Sequence, residues 1–146
     1  MSKYFGTDGF RGEANVTLTV YHAFQVGRFL GWYYSRDHKG QIVIGKDTRR
    51  SSYMFECALA AGITASGADA CLMHVTTTPS VSYISKVDEF DCGIMISASH
   101  NPFHDNGIKL INRHGEKMEQ EVIDKIEAYL DSKENLPYAT GADIGR

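Results

Sequence analysis

The stretch Gly93-Ile94-Met95-Ile96-Ser97-Ala98-Ser99-His100-Asn101-Pro102 decides the fold. Its apolar first part, 93–96, has the length and the branched residues of a buried strand rather than of a helix. The second part consists of small hydroxyl residues, a histidine and Asn-Pro, which is typical of a turn. Ligands of open α/β sheets bind at the carboxyl ends of strands, so Ser99 and His100 are candidate site residues. The alternative is that the same pattern forms only a tight Asn-Pro turn with a capping hydroxyl and has no role in binding a ligand.

Composition limits the class of protein. The chain has 146 residues, a hydrophobic fraction of 42% and a net charge of −3. These values are typical of one globular domain that buries about two thirds of its unfolded surface. A net negative charge does not indicate a surface that binds nucleic acid or an anionic membrane. No apolar run reaches the roughly 18 residues of a membrane span, and the N-terminus lacks a signal-peptide pattern, so we expect a cytoplasmic protein with no nucleic-acid or membrane partner.

The cysteines and histidines predict neither disulfides nor a metal centre. Cys57, Cys71 and Cys92 lie in apolar segments and have no C-x-x-C spacing, which predicts three reduced thiols in the core. The six histidines are scattered, and no pair falls on one helical face. A metal site built from histidines is therefore not expected.

Strand patterns alternate with helix patterns along the chain. The periodicity predicts helices over about 19–35, 52–66, 78–89 and 119–130, and strands at 3–5, 42–44, 70–75, 93–96 and 108–111. Asp105-Asn106-Gly107 predicts a hairpin turn before the last strand. This order predicts a three-layer α/β/α domain with a mixed, mostly parallel sheet covered on both faces. We expect the domain to span 1–135, and the polar tail 136–146 to be a linker toward further domains.

Hydroxyl residues mark the predicted helix starts. Thr19 is the expected N-cap of the first helix, and Ser51 or Ser52 that of the second. Thr78 is the expected N-cap of the third helix, with Pro79 at the first helical position.

Four loops, 6–12, 46–52, 76–79 and 97–106, are expected at one edge of the sheet. They carry the cationic or basic residues Arg11, Lys46, Arg49, Arg50, His100 and Lys109, against the carboxylates Asp8, Asp47 and Asp105. A positive edge on an acidic chain indicates an anionic ligand, most commonly phosphate. A serine hydrolase is disfavoured, because Gly-x-Ser-x-Gly is absent and His100, as the next residue, is poorly placed to deprotonate Ser99. A serine among cations is better suited to carrying a phosphoryl group.

Three motifs identify a family resemblance: Gly6-Thr7-Asp8-Gly9-Phe10-Arg11-Gly12, Ser97-Ala98-Ser99-His100-Asn101-Pro102 and Asp105-Asn106-Gly107-Ile108-Lys109. In this order and spacing they resemble the N-terminal domain of the α-D-phosphohexomutases, which have four domains. The resemblance covers nearly the whole chain and is strongest to the bacterial branch that acts on glucosamine phosphates. It implies an isomerase that interconverts glucosamine 6-phosphate and glucosamine 1-phosphate through a bisphosphate, for cell-wall precursor synthesis.

The resemblance also implies roles for individual residues. Ser99 matches the phosphoserine, and Lys109 and Arg11 match positions that act in proton transfer and in stabilising the transferring phosphate. His100 matches a position that contacts ligand or phosphate. The substrate-binding positions implied in the same way are Thr7, Asn101 and Arg49.

By the same resemblance the enzyme uses Mg²⁺, which is bound partly through the phosphate on Ser99, and a hexosamine bisphosphate as activator. Most of the metal ligands are expected elsewhere, because the family's Asp-Gly-Asp-x-Asp loop is absent here. Its Glu-x-Ser-Gly-His sugar loop and its C-terminal phosphate loop are absent too. The implied partners are a hexosamine phosphate and the remaining domains of the same enzyme, and we expect this chain alone to be inactive.

Two alternatives stay open on the sequence. One is the first domain of a phosphoglucomutase or phosphomannomutase, because substrate choice lies in the domains that are not in this chain. The other is a non-catalytic module that binds sugar phosphates and has kept the fold.

Overall fold

A computed structural model describes residues 3–146 of the chain. Its strands are β1 (Phe10–Glu13), β2 (Gln41–Lys46), β3 (Asp69–Val75), β4 (Cys92–Ile96) and β5 (Asp105–Asn112). Its helices are α1 (Val20–Tyr34), α2 (Arg50–Ala65), α3 (Thr78–Val87) and α4 (Gln120–Asp131), and a short 3₁₀ helix covers Gly141–Asp143.

The strands form one mixed sheet in the order β1-β5-β4-β2-β3. β2 lies parallel to both β4 and β3, whereas β5 is antiparallel to both of its neighbours, β4 and β1. Four strands therefore point the same way, and β5 alone runs against them. This arrangement confirms the predicted three-layer α/β/α class with a mixed, mostly parallel sheet. β4, the strand predicted from 93–96, lies at the centre of the sheet with every residue buried.

The two faces of the sheet are covered unequally. α1, α2 and α4 pack on one face around the larger apolar core. On the other face, α3 places Val81 against Val43, Met95 and Ile111 of the sheet. The contacts of α3 fall on β2, β4 and β5 rather than on β1. Helices therefore pack on both faces of the sheet, as predicted, but the second face has no helix over β1, and we call this second face the open face.

Local capping signals predict where two of the helices start to within one residue. Thr19 caps α1: its hydroxyl accepts from the His22 N–H, and the His22 ring accepts from the Thr19 N–H. This reciprocal capping box confirms the predicted start of α1. At α3 the cap is Thr77 rather than the predicted Thr78, so that Pro79 sits one position further into the helix.

The predicted cap of α2 is wrong, and so is the predicted turn before β5. Arg49 occupies the N-cap of α2 without a side-chain cap, because the hydroxyls of Ser51 and Ser52 accept hydrogen bonds from Asn106 instead. Asp105-Asn106-Gly107 does not form a hairpin turn but begins β5 and pairs with β1. Pairing with a strand nearly a hundred residues earlier overrides the local turn preference.

The predicted first strand, 3–5, is also wrong. The first strand begins only at Phe10, within the stretch 6–12 that we expected to be a loop. The backbone N–H groups of Tyr4 and Phe5 donate to the Glu127 carboxylate on α4 rather than to a neighbouring strand. The backbone donors of this segment therefore bond to a carboxylate on α4 and not to a strand.

Only one of the three cysteines lies in the core. Cys92 is buried in β4, and burial raises the pKa of its thiol well above the ordinary value. Cys57 and Cys71 are free thiols, as predicted, but they are exposed. Cys71 lies on β3, which is an edge strand with mostly exposed residues, so the prediction of burial from an apolar sequence was wrong there.

The C-terminal tail folds back onto the middle of α1 and the end of α2. The buried Arg28 guanidinium on α1 donates to the Ser66 hydroxyl and to the carbonyls of Leu136 and Pro137, and it lies 3.8 Å from the centre of the Tyr138 ring. Whether 136–146 is a linker stays a prediction. Across residues 3–146, no helix combines the length and the apolar character that a membrane crossing requires.

Candidate functional site

The loop that follows β4 holds Ser99 in an unusual backbone conformation. Ser99 has a φ of 50°, in the left-handed region that L-residues other than Asn and Asp seldom occupy. The Ser97 hydroxyl accepts from the Ser99 N–H, and the Asn101 N–H donates to the Ala98 carbonyl. The loop is thus closed by its own hydrogen bonds, and Ser99 is exposed at the carboxyl end of β4.

Arg11 reaches this loop from β1. Phe10 points into the main core, so by strand alternation Arg11 points to the open face of the sheet. There its Nη2 lies 3.5 Å from the Ser99 hydroxyl oxygen and its Nη1 lies 3.4 Å from the Asn101 amide oxygen. Both distances are long for a hydrogen bond, so the guanidinium is held only weakly by protein partners. Among the described residues, its Nε is buried and has no hydrogen-bond partner.

Gly107 leaves the space that the Arg11 side chain occupies. The two residues are directly paired between β1 and β5. A Cβ on Gly107 would lie 3.0 Å from the Arg11 Cγ and 2.7 Å from the Ser97 carbonyl oxygen. The Arg11 side chain therefore lies across a position where only a glycine leaves room.

Lys109 points to the same open face. It pairs with Met95, whose side chain belongs to the smaller cluster on that face. Side chains of paired residues lie on the same side of a sheet, so Lys109 and Met95 share this face with Arg11. Lys109 is two residues beyond Gly107, the partner of Arg11, so the Cβ atoms of the two cations lie roughly 7–8 Å apart. The open face thus carries two basic side chains, of which Arg11 reaches Ser99.

Residues 97–104, between β4 and β5, form the loop that we call the Ser99 loop. Arg49, on the connection between β2 and α2, reaches across this loop. Its Nη2 donates to the Ser99 carbonyl at 2.8 Å, and its Nη1 donates to the carbonyls of Pro102 at 2.6 Å and Asp105 at 3.1 Å. Its Nε donates to the Asp47 carboxylate at 2.9 Å. Four of the five N–H groups of this guanidinium are therefore directed at protein acceptors.

Asp47 is the centre of a small polar network behind the loop. Burial pushes the pKa of its carboxyl upward, but hydrogen bonds from the Ser52 hydroxyl, the Arg49 N–H and the Ser97 hydroxyl outweigh this, so that the pKa lies below its ordinary value. Ser52 also accepts from the fully buried Asn106. The network joins the ends of β2 and β4 to the start of α2 and of β5.

The other expected site residues lie apart from Ser99 or without partners. Thr7 is exposed and lines a small cavity with Lys109 and Lys117, and the structure gives it no contact with Ser99. His100 is exposed, and its side chain makes no hydrogen bond or ion pair with any of residues 3–146. Lys46, which we expected among the loop cations, is buried in an ion pair with Glu56 at 2.8 Å.

Within the described part of the chain, no three His, Cys, Asp or Glu side chains cluster closely enough to hold a metal ion. The two carboxylates nearest the loop are already engaged. Asp47 accepts from Ser52 and Arg49, and Asp105 accepts from the Asn101 amide at 3.3 Å. These residues alone therefore do not fit a Mg²⁺ site.

From the sequence, Asp47 was expected among the loop carboxylates and Asn106 and Gly107 in a family motif, but none of the three was given a role in the site. Asp47 directly follows a buried strand at the carboxyl edge, a signal that could have identified it. Asn106 and Gly107 belong to an Asp-Asn-Gly sequence that predicts a turn, so they were not expected to lie in a strand at the site. Their roles depend on pairing with β1 and on α2, which no local pattern encodes.

Comparisons with known proteins agree on one family. The family model described as phosphoglucomutase/phosphomannomutase, alpha/beta/alpha domain I, matches residues 2–137. A phosphoglucosamine mutase from Lachnospira eligens is 72% identical over 99% of this chain and 33% of its own length. A phosphoglucosamine mutase from Lachnoclostridium phytofermentans is 67% identical over 100% of this chain and 33% of its own length.

A solved structure has the same fold. The crystal structure of a phosphoglucomutase/phosphomannomutase family protein from Burkholderia thailandensis superposes with a TM-score of 0.74 at 26% identity, covering 97% of this chain and 31% of that one. The chain spans about a third of the length of the curated relatives that it matches.

Proposed function

Because the chain belongs to the phosphoglucomutase/phosphomannomutase family and corresponds to its α/β/α domain I, we propose that it is the phosphate-carrying part of a phosphoglucosamine mutase. In this proposal Ser99 is the phosphoserine. The name shared by the relatives that are 72% and 67% identical supports the glucosamine phosphates as substrates. Those relatives are three times longer, so the complete reaction belongs to a protein that includes more than these 146 residues.

The observation that carries this proposal is the placement of Arg11 beside the exposed hydroxyl of Ser99. A phosphate on that oxygen would meet a guanidinium that is held only by long contacts and that has a buried, unpartnered Nε. An unsatisfied buried donor is costly, and an anion is the acceptor that suits it best. Lys109 adds a second basic side chain on the same face. Phosphoryl transfer needs mainly positioning and charge stabilisation, which this arrangement supplies.

The reaction begins with the phosphate on Ser99. A hydroxyl of the sugar monophosphate attacks the phosphorus, the bond between phosphorus and the Ser99 oxygen breaks, and the sugar becomes a bisphosphate. The Lys109 amine takes the proton of the attacking hydroxyl, the same proton is passed on to the Ser99 oxygen as it leaves and becomes a hydroxyl, and Arg11 stabilises the charge on the transferring group. The bisphosphate then turns around, and its other phosphate returns to Ser99. The net result interconverts glucosamine 6-phosphate and glucosamine 1-phosphate.

Mg²⁺, when bound, would neutralise charge on the transferring phosphate. This chain would offer it the oxygens of the phosphate on Ser99, and the other ligands would come from outside these residues. None of the steps described above is assigned to the ion. A hexosamine bisphosphate is the proposed activator, since it is the donor that would load Ser99.

A non-catalytic module that binds sugar phosphates is the candidate from another class. The two are separated by incubating the chain with glucosamine 1,6-bisphosphate and Mg²⁺ and measuring the intact mass. The carrier gains the mass of one phosphoryl group, and the gain is lost in Ser99→Ala but kept in Ser82→Ala. A folded wild-type chain that binds the sugar bisphosphate without any gain in mass would favour the module.

A phosphoglucomutase or phosphomannomutase remains the alternative within the family, because the solved relative carries both names. Rates of Ser99 phosphorylation by the glucosamine, glucose and mannose bisphosphates, compared in the longer protein, decide between them. The glucosamine compound should give the highest rate. A serine hydrolase would instead be labelled on Ser99 by a fluorophosphonate, which we do not expect, since the side chain that reaches the Ser99 oxygen within residues 3–146 is that of Arg11.

A further inference from the structure

We propose that Arg49 and Asp47 form a brace that holds the Ser99 loop in its working shape, so that Arg49 is a positioning residue and not a ligand of the sugar phosphate. The importance of Ser99 rests on the proposed function. The brace itself rests on contacts within the chain, so the two can be tested separately.

The donors of Arg49 point at the backbone of the Ser99 loop. Its two terminal nitrogens donate to three backbone carbonyls, those of Ser99, Pro102 and Asp105. Its Nε is taken up by the Asp47 carboxylate. One N–H of Nη2 is left over, which is too little for the two-pronged contact that makes arginine a strong phosphate ligand.

The acceptors of Arg49 are spaced along the whole loop. The three carbonyls are distributed over 99–105, from the strained residue to the first residue of β5. A rigid planar fork that bonds to both ends of a loop fixes the distance between them. Ser99 needs such support, because a left-handed φ in a residue other than glycine persists only where its surroundings impose it.

Arg49 is itself held in place by Asp47. Asp47 accepts from both the backbone N–H and the Nε of Arg49, which fixes the start and the end of that side chain. The same carboxylate accepts from the Ser52 hydroxyl at the first turn of α2. The orientation of Arg49 is therefore tied to the rigid β2–α2 unit, which in turn sets the position of the Ser99 loop.

The chain offers a matched control in the next residue, Arg50. It has the same charge, is exposed, and has no ion pair or hydrogen-bond partner for its side chain among residues 3–146. Arg49→Lys and Arg50→Lys both keep the positive charge but remove the planar fork. Asp47→Asn is a second variant that weakens the brace from its other end.

The test follows the phosphorylation of Ser99 by glucosamine 1,6-bisphosphate over a range of donor concentrations. A positioning role predicts that Arg49→Lys lowers the saturating rate by roughly 10- to 100-fold. The half-saturating donor concentration should stay within about twofold, because binding of the donor is not affected. Asp47→Asn should lower the saturating rate in the same way, and Arg50→Lys should change neither quantity.

Hydrogen exchange gives a readout that does not depend on the chemistry. The N–H groups of Asn101 and Asp105 donate to carbonyls within the loop, so their exchange reports on its order. Arg49→Lys should speed the exchange of both, while Asn112 N–H at the far end of β5 stays protected.

The outcomes separate the two proposals. A higher half-saturating concentration with an unchanged saturating rate and unchanged loop exchange would show that Arg49 binds substrate, and would overturn the brace while leaving the carrier intact. If the wild-type chain takes no phosphate, the proposed function fails, and the exchange of Asn101 and Asp105 alone decides. Faster exchange in Arg49→Lys then supports the brace, and unchanged exchange overturns it.

Discussion

The side chain of Arg11 lies beside Ser99 only because Gly107 leaves room for it. The missing Cβ would lie 2.7 Å from the Ser97 carbonyl oxygen. We predict that Gly107→Ala lowers the free energy of unfolding by about 1–3 kcal/mol, as overpacking typically does. It should also displace Arg11 and slow the phosphorylation of Ser99. Urea denaturation followed by circular dichroism measures the first effect.

Gly6→Ala is the control for this variant. A Cβ at Gly6 would have nothing closer than 3.9 Å, so its stability should stay within about 0.5 kcal/mol of the wild type. Equal losses in the two variants would contradict the account of Gly107.

His22 makes stability depend on pH. Its ring accepts from the Thr19 N–H through Nδ1, which requires that nitrogen to be unprotonated, and burial lowers the pKa of the ring below its ordinary value of 6.5. The unfolded state therefore binds the proton more readily than the folded state. As the pH falls from about 7.5 through 6.5 toward the lowered pKa, the folded state loses stability.

Replacing this histidine by glutamine isolates the effect. Glutamine at the third helical position also closes a capping box but does not titrate. The stability of the wild type relative to His22→Gln, from urea midpoints at several pH values, should therefore decrease as the pH falls below about 6.5. A relative stability that is independent of pH, or that increases on acidification, would show that the imidazole is not held neutral.

Individual site residues were predictable where the chemistry is local. A hydroxyl at the end of a buried strand singled out Ser99, and the resemblance singled out Arg11 and Lys109, which the register of β1, β5 and β4 then brings to one face. The contacts of Arg49 could not be predicted. They depend on carbonyls fifty or more residues further along the chain, which have no side-chain signature.

Among the elements, the C-terminal tail offers a direct test of packing. The Arg28 guanidinium bonds to the carbonyls of Leu136 and Pro137, and beyond it the Ala139 N–H donates to the Ala65 carbonyl. We predict that Arg28→Met, which removes these charge-assisted bonds, speeds exchange of the Ala139 N–H by roughly 10- to 100-fold. Exchange measured by NMR at neutral pH gives the rate.

Arg36 on the connection after α1 provides the control. It is an exposed arginine that bonds to the nearby Tyr33 carbonyl and stacks on the Tyr33 ring, and the tail does not contribute to these contacts. Arg36→Met should leave the exchange of Ala139 unchanged. If Arg28→Met also leaves it unchanged, the tail is held by something other than this arginine.

The elements with strong local signals were predicted well. α1 has a capping threonine and a regular apolar stripe, and its bounds agree with the prediction to within one residue. The predicted strand 108–111 lies within β5, but the start of β5 and the whole of β1 were placed wrongly, because glycines and an Asn-Gly pair indicate turns when read locally. Their strand conformation comes from pairing across the sheet, which is a property of the whole fold.

For the whole molecule, the length of the chain predicts an incomplete reaction. Arg11 lies beside Ser99, but the chain spans only about a third of the length of the curated relatives that it matches. We therefore predict that it does not convert glucosamine 6-phosphate into glucosamine 1-phosphate by itself, as measured by a coupled assay with Mg²⁺ and a bisphosphate activator. Steady turnover that is lost in Ser99→Ala would contradict this expectation.

The central claim is that Ser99 carries a phosphate among the cations of the open face. The most direct test is a ³¹P NMR titration of the chain after incubation with glucosamine 1,6-bisphosphate. We predict one phosphoserine resonance that is absent in Ser99→Ala. Its titration midpoint should lie below the value of about 6 for a free phosphoserine, because nearby cations favour the dianion, and Arg11→Gln should move it back upward. No resonance in the wild type, a resonance that survives in Ser99→Ala, or a midpoint that Arg11→Gln leaves unchanged would contradict the account.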